Sequence, residues 1–92
     1  MTRCAECIVN DVAMAFDVLP GDIVSQSRLR RYAYPRFAAY RLLRERGLSL
    51  PQIGRMIGYR DHSTICHGIA QAKKLALTDA EFAARYEEAR HS

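Results

Sequence analysis

The run Ser49-Leu50-Pro51-Gln52-Ile53-Gly54-Arg55-Met56-Ile57-Gly58-Tyr59-Arg60-Asp61-His62-Ser63-Thr64-Ile65 leaves the backbone few options. Ser49 followed by Gln52 is a capping-box pattern, with Pro51 tolerated in a first turn whose N–H groups have no intrahelical partner. A short helix is therefore expected to begin there. Ile53, Met56 and Ile57 fall on one face of it, and Gly58 can take the positive φ that closes a helix. After a turn at Gly58-Tyr59-Arg60, Asp61 is placed to cap a second helix by accepting from the N–H of Ser63 or Thr64. Ile65, Ile69, Ala72 and Ala76 form its apolar stripe, and the spacing predicts roughly four turns ending near Leu77.

What this second helix leaves outside is polar. His62, Ser63, Thr64 and His67 occupy its first two turns, where the second helix of a helix-turn-helix presents side chains to base edges in the major groove. Capping alone accounts for Asp61 but not for the polar run that follows it. The charge distribution points the same way. The formal net charge is +4, and between Arg28 and Arg46 there are seven arginines, no lysine, and Glu45 as the sole carboxylate. The first 24 residues instead set Arg3 against Glu6, Asp11, Asp17 and Asp22, and the end mixes Asp79, Glu81, Glu87 and Glu88 with Arg85 and Arg90. A basic middle of this kind is the footprint of a face that binds polyanions, and guanidinium forks suit phosphates and narrow grooves.

Leu50-Pro51-Gln52-Ile53-Gly54-Arg55 and Gly58-Tyr59-Arg60-Asp61-His62-Ser63-Thr64-Ile65-Cys66-His67 together resemble the signature of the C-terminal DNA-binding domain of the bacterial chromosomal replication initiator DnaA. That family's pattern runs S-L-P-x-I-G, a few residues, then G-G-R-D-H-[ST]-T-[VI]-x-H. The resemblance extends over roughly residues 7 to 90, and Ala33-Tyr34-Pro35-Arg36 matches the A-R-P-R that ends the family's basic loop. It implies major-groove readers at Asp61, His62, Ser63, Thr64 and His67, and a minor-groove arginine at Arg28. It also implies supporting contacts from Arg44, Pro51 and Arg60, to which the basic middle adds Arg30, Arg31 and Arg36 as expected backbone contacts. Three departures stand out: Tyr34 replaces an arginine, Tyr59 replaces the second glycine, and the connection Arg46-Gly47-Leu48 is one residue shorter. No G-x-x-x-x-G-K-[ST] occurs in the sequence, so neither a nucleotide nor any other cofactor is expected, and the chain reads as the DNA-binding domain without the ATPase.

Ninety-two residues suit a single domain, 1–92 with a core of about 7–90. No apolar run approaches the ~20 residues that span a bilayer, so a cytoplasmic, nucleoid-associated location without membrane contact is the expectation. Ile8, Val9, Val12, Ala13, Phe16 and Leu19 predict a first helix over Cys7 to Asp17 that ends at Pro20-Gly21. Asp22 to Val24 allows one helical turn, and Ser25 to Tyr34 reads as a basic loop. Pro35 is expected to open the next helix, with Ala38, Ala39, Leu42 and Leu43 inward, Arg36, Arg41, Arg44 and Arg46 outside, and Gly47 as its stop. Thr78-Asp79-Ala80-Glu81 is another capping box, opening a last helix with Phe82, Ala83 and Tyr86 on its apolar face. The fold class is all-α: a compact bundle of about six helices around a central helix-turn-helix, of the Trp repressor/DnaA C-terminal type.

Cys4, Cys7 and Cys66 are an odd number of thiols, expected free and reduced. Cys4-Ala5-Glu6-Cys7 has zinc-ligand spacing, but no second close pair follows it and no metal is expected. Cys66 reads as a half-buried filler. An enzyme is the first competing class, since Asp61, His62, Ser63, Cys66 and His67 include a nucleophile and bases. Helical spacing spreads them over a convex end with no second wall to exclude water, so no catalysis is expected. A protein-interaction module is the second, with Tyr32, Tyr34, Tyr40 and Tyr59 beside arginines; it would ignore heparin and duplex DNA. Double-stranded DNA is thus the expected partner, with a further protein from the replication or transcription machinery. Recognition of initiator-type boxes in replication control is the reading the resemblance implies. A small transcription regulator, of phage or prophage origin or part of a longer activator, is the alternative.

Overall fold

Pro35 lies inside a helix rather than at its start. The computed structural model describes residues 4–25 and 29–91, Arg30 by its backbone alone. It contains α1 (Ala5–Ala15), α2 (Pro20–Val24), α3 (Arg30–Glu45), α4 (Leu50–Met56), α5 (His62–Thr78) and α6 (Ala80–Arg90), and no strand among the described residues. The stretch Arg30 to Tyr34, expected as loop, is therefore the first turn and a half of α3. A proline in a helix interior costs about 3 kcal/mol, because it lacks the N–H and crowds the carbonyl four residues back. Long-range packing offsets that here. Pro35 is fully buried, Tyr34 meets the Phe82 ring edge-on at 5.9 Å, and the Arg36 side chain is bonded to the end of α2.

The helix boundaries follow local chemistry. α1 ends at Ala15 in a Schellman closure, with Val18 N–H donating to Ala13 O and Asp17 N–H to Met14 O. Asp17 takes the left-handed conformation this needs, φ 57, as a short polar side chain can. Pro20-Gly21 thus does not end α1; Pro20 instead opens α2, where its missing N–H costs nothing. The last cap is also shifted by one residue. Asp79, not Thr78, caps α6 through its Oδ1 and the Phe82 N–H at 3.0 Å, while Thr78 Oγ1 donates back to Lys74 O and closes α5.

One apolar core runs from Ile8 to Ala89. α3 is its axis, burying Ala38, Ala39, Tyr40, Leu42 and Leu43, with α5 packed along it. Gly68 permits that approach, because a Cβ there would lie 2.3 Å from Tyr40 Cδ2. Phe82 and Tyr86 of α6 stack at 6.1 Å beneath Phe16 and Tyr34. Arg85 Nη1 donates to Ala15 O at 2.9 Å, satisfying a carbonyl that the end of α1 leaves open. Among the described residues no helix is long and apolar enough to cross a membrane.

Candidate nucleic-acid interface

The helix-turn-helix is built as the spacing requires. Gln52 N–H donates to Ser49 Oγ at 3.3 Å and Ser49 N–H to Gln52 Oε1 at 2.8 Å, so both partners of the capping box are present at the start of α4. The turn after α4 is tight because Arg60 N–H donates to Gly54 O at 3.0 Å. A Cβ on Gly54 would sit 2.3 Å from the Arg60 carbonyl oxygen, which only glycine avoids. Gly58 has φ 72 and Tyr59 φ 58, so both positions of the family's glycine pair are left-handed and the tyrosine carries the strain. Its ring is 84% exposed.

Asp61 caps α5, its Oδ1 accepting from Thr64 N–H at 2.8 Å. That backbone bond, with the Thr64 hydroxyl and nearby His62, holds the Asp61 carboxyl below its ordinary range. A carboxylate at a helix N-terminus also faces the positive end of the macrodipole. Helical periodicity then sorts the next turns. Ile65, Gly68 and Ala72 are buried, while Asp61, His62, Ser63, Thr64, Cys66 and His67 are exposed. Cys66 is therefore not the half-buried filler expected. The His67 ring stands edge-on to Phe37 of α3 at 6.2 Å, which fixes its direction.

The arginines divide. Arg44 is exposed at the last turn of α3, with Nη1 on Leu48 O at 2.8 Å, and Pro51 is exposed in the first turn of α4. Arg36, expected outside, is only 5% exposed. Its Nε donates to Ile23 O at 2.8 Å, and its Nη2 to Asp22 O at 3.0 Å and Ser25 Oγ at 2.8 Å. It satisfies the open carbonyls at the end of α2 and is a strut, not a surface cation. Arg31, expected with the DNA contacts, lines a separate cleft with Asp17, Asp79, Glu81 and Arg85. Arg28 and the side chain of Arg30 lie outside the described residues.

Arg60 joins two parts of the site. It directly precedes the cap Asp61, and its Nη2 donates to Ser25 O, where the chain enters the basic loop. Arg60 and Arg36 then share a cleft of about 510 Å³ with Tyr40, Phe37, Ala33, Thr64 and His67, and among the described residues no carboxylate lines it. Burial and the nearby Arg60 lower the pKa of the Arg36 guanidinium, and burial pushes the Tyr40 phenol up against the pull of both arginines. Two guanidiniums beside the N-terminus of α5 make this corner attractive to an anion. Reading the sequence for exposed cations missed Ala33, Phe37 and Tyr40. Their three- and four-residue spacing was a usable signal once the helix is taken to start at Arg30. Ser25 gave no signal, since it contributes a backbone oxygen.

The fold and this site define a helix-turn-helix domain whose second helix carries a capped, exposed, polar N-terminus. Residues 5–72 match the family described as bacterial dnaA protein helix-turn-helix, and the chain belongs to that family. The curated relatives include chromosomal replication initiator proteins DnaA of Ruegeria pomeroyi, 40% identical over 85% of this chain and 17% of the relative. That of Neisseria meningitidis is 40% identical over 90% of the chain and 16% of the relative, and that of Ehrlichia ruminantium 42% over 83% and 17%. The chain thus spans about a sixth of the length of these relatives.

Proposed function

We propose that this domain binds double-stranded DNA sequence-specifically, reading DnaA-box-like sites in the control of replication initiation. The start of α5 enters the major groove and the loop before α3 reaches the adjacent minor groove. In the major groove Asp61 accepts from a cytosine amino group, the Thr64 methyl lies against a thymine methyl, and His62, Ser63 and His67 contact neighbouring edges. Arg28 enters the minor groove, favouring A/T-rich flanks where that groove is narrow. Arg44, Arg30, Pro51 and Arg60 face the backbone, where cations supply affinity that falls steeply with salt.

The observation that carries this reading is the Arg60 bond to Ser25 O. It ties Ser25, where the chain leaves α2, to the residue before the α5 cap. Such preorganisation is what simultaneous engagement of adjacent grooves demands. The membership in the DnaA helix-turn-helix family, and the initiator names of the relatives, support the replication role. The test is selection of bound sites from a random duplex pool, followed by salt titration of the gel shift on the selected site. A recovered box of initiator type with A/T-rich flanks is the expected result. Recovery of no preferred site, or of an unrelated motif indifferent to flanking composition, overturns it.

A further inference from the structure

Cys4 and Cys7 take no part in the interface above. Cys4 is the N-cap of α1 and Cys7 its third helical residue, so the motif closes over the helix start. The two sulfurs lie 2.9 Å apart, and the Cys7 N–H donates to Cys4 Sγ at 3.3 Å. Both thiols are exposed, as is Cys66 on α5. The surroundings treat the pair unequally. The hydrogen bond shared by the two sulfurs and the one from the Cys7 N–H lower the Cys4 thiol, with Glu6 opposing, whereas Cys4 raises the Cys7 thiol, with Asp11 adding to it. Two accessible sulfurs 2.9 Å apart at a helix start, one favoured as thiolate over the other, are the arrangement of an attacking and a resolving thiol.

Two sulfurs supply half of a tetrahedral metal set, and among the described residues no three His, Cys, Asp or Glu side chains gather to complete one. Dithiol chemistry needs only the two. We propose that Cys4 and Cys7 form a thiol–disulfide exchange site whose oxidant is a low-molecular-weight disulfide. The Cys4 sulfur attacks one sulfur of the reagent, the reagent S–S bond breaks, and a mixed disulfide forms on Cys4 as the first thiol leaves. The Cys7 sulfur then attacks Cys4 Sγ and expels the second thiol. Each leaving thiolate takes up the proton that the attacking cysteine gave up. Two protein thiols become one disulfide, and the reagent disulfide becomes two thiols. Arg55 of α4 lines the same groove as Cys4, beside Glu6, and offers a cation to a carboxylate of a reagent such as oxidised glutathione, whose ammonium Glu6 can meet. The ring closed over two intervening residues restrains little unfolded chain, and its exposure makes the bond readily reducible.

The experiment uses the full chain carrying Cys66→Ser, equilibrated across ratios of oxidised to reduced glutathione, quenched by alkylation and weighed intact. The expected product has lost two hydrogens, retains no glutathione and forms without a stable adduct. Adding Cys7→Ser traps glutathione on Cys4, and adding Cys4→Ser instead leaves an adduct on Cys7 that forms several-fold more slowly. Peptide mapping of the unsubstituted chain gives the same answer without any variant: a Cys4–Cys7 disulfide beside a glutathione adduct on Cys66. Stable adducts on both Cys4 and Cys7 overturn the proposal. So does a pair that stays reduced where Cys66 is modified.

Discussion

Replacing Arg36 by methionine keeps the apolar stem of the side chain and deletes its guanidinium. Among its acceptors in the described residues, Ile23 O lies in a buried bond, while Asp22 O and Ser25 Oγ are part-buried. Stranding a buried carbonyl costs about 2 kcal/mol and each half-wet acceptor about 0.5, and removing a buried cation that faces Arg60 returns part of this. The net loss is about 2 to 3 kcal/mol, against a total stability of about 5 to 14 kcal/mol for a domain of this length. At about 4 to 8 °C per kcal/mol, the melting temperature falls by roughly 8 to 24 °C. Circular-dichroism melts of the parent, Arg36→Met and Arg44→Ala measure it, with Arg44→Ala, an exposed site, staying within about 0.5 kcal/mol of the parent. Were Arg36 a phosphate contact instead, Arg36→Met would melt within about 3 °C of the parent and flatten the salt slope of DNA binding by about one. That pairing of results would refute the strut.

The same substitution logic separates the remaining roles. Thr64→Ala and His62→Ala are expected to cost ~1 to 3 kcal/mol on the selected duplex and almost nothing on random duplex, while Arg44→Ala weakens both and lowers the salt slope; gel shifts at several salt concentrations read all three. Asp61→Asn keeps a capping oxygen and at neutral pH loses only the part of the stability that the carboxylate charge adds, while changing the preferred base, whereas Asp61→Ala loses the cap as well. Because folding holds the Asp61 carboxyl below its ordinary value of 3.8, its contribution is present above that pH and fades as pH falls through the folded value, so acid melts of Asp61→Asn should lack this component. Tyr59→Gly relieves a left-handed non-glycine residue and should stabilise the domain by about 0.5 to 1 kcal/mol in urea titrations. Gly54→Ala drives a Cβ to within 2.3 Å of the Arg60 carbonyl and should cost about 3 kcal/mol, measured the same way.

The sequence was legible wherever neighbours three or four residues apart decide the outcome. The Ser49–Gln52 box, the Asp61 cap, the positive φ at Gly58 and the inward Ala38, Ala39, Leu42 and Leu43 all follow from local rules, and all are present. It was illegible where the compensation comes from far along the chain. Pro35 reads as a helix start because its cost is local, whereas the contacts that offset it arrive from Ile23 and Phe82. Thr78 and Asp79 are both good caps one residue apart, and sequence alone does not rank them.

Arg36 shows how one boundary error propagates into a functional one. An arginine beside a proline at a supposed loop end has no inner face, so its charge alone suggests a DNA contact. Once α3 runs from Arg30, position 36 shares a helical stripe with Ala39, Tyr40 and Leu43, all buried, while Arg44 does not. A guanidinium on the inner stripe must find oxygens inside the protein, and the open carbonyls at the end of α2 are the acceptors within reach. Arg60 extends the same logic across the turn, since its bond to Ser25 O ties that end to the start of α5. Arg36 and Arg60 thus tie the end of α2 to α3 and to the start of α5. Arg44, by contrast, is turned outward by the helix period.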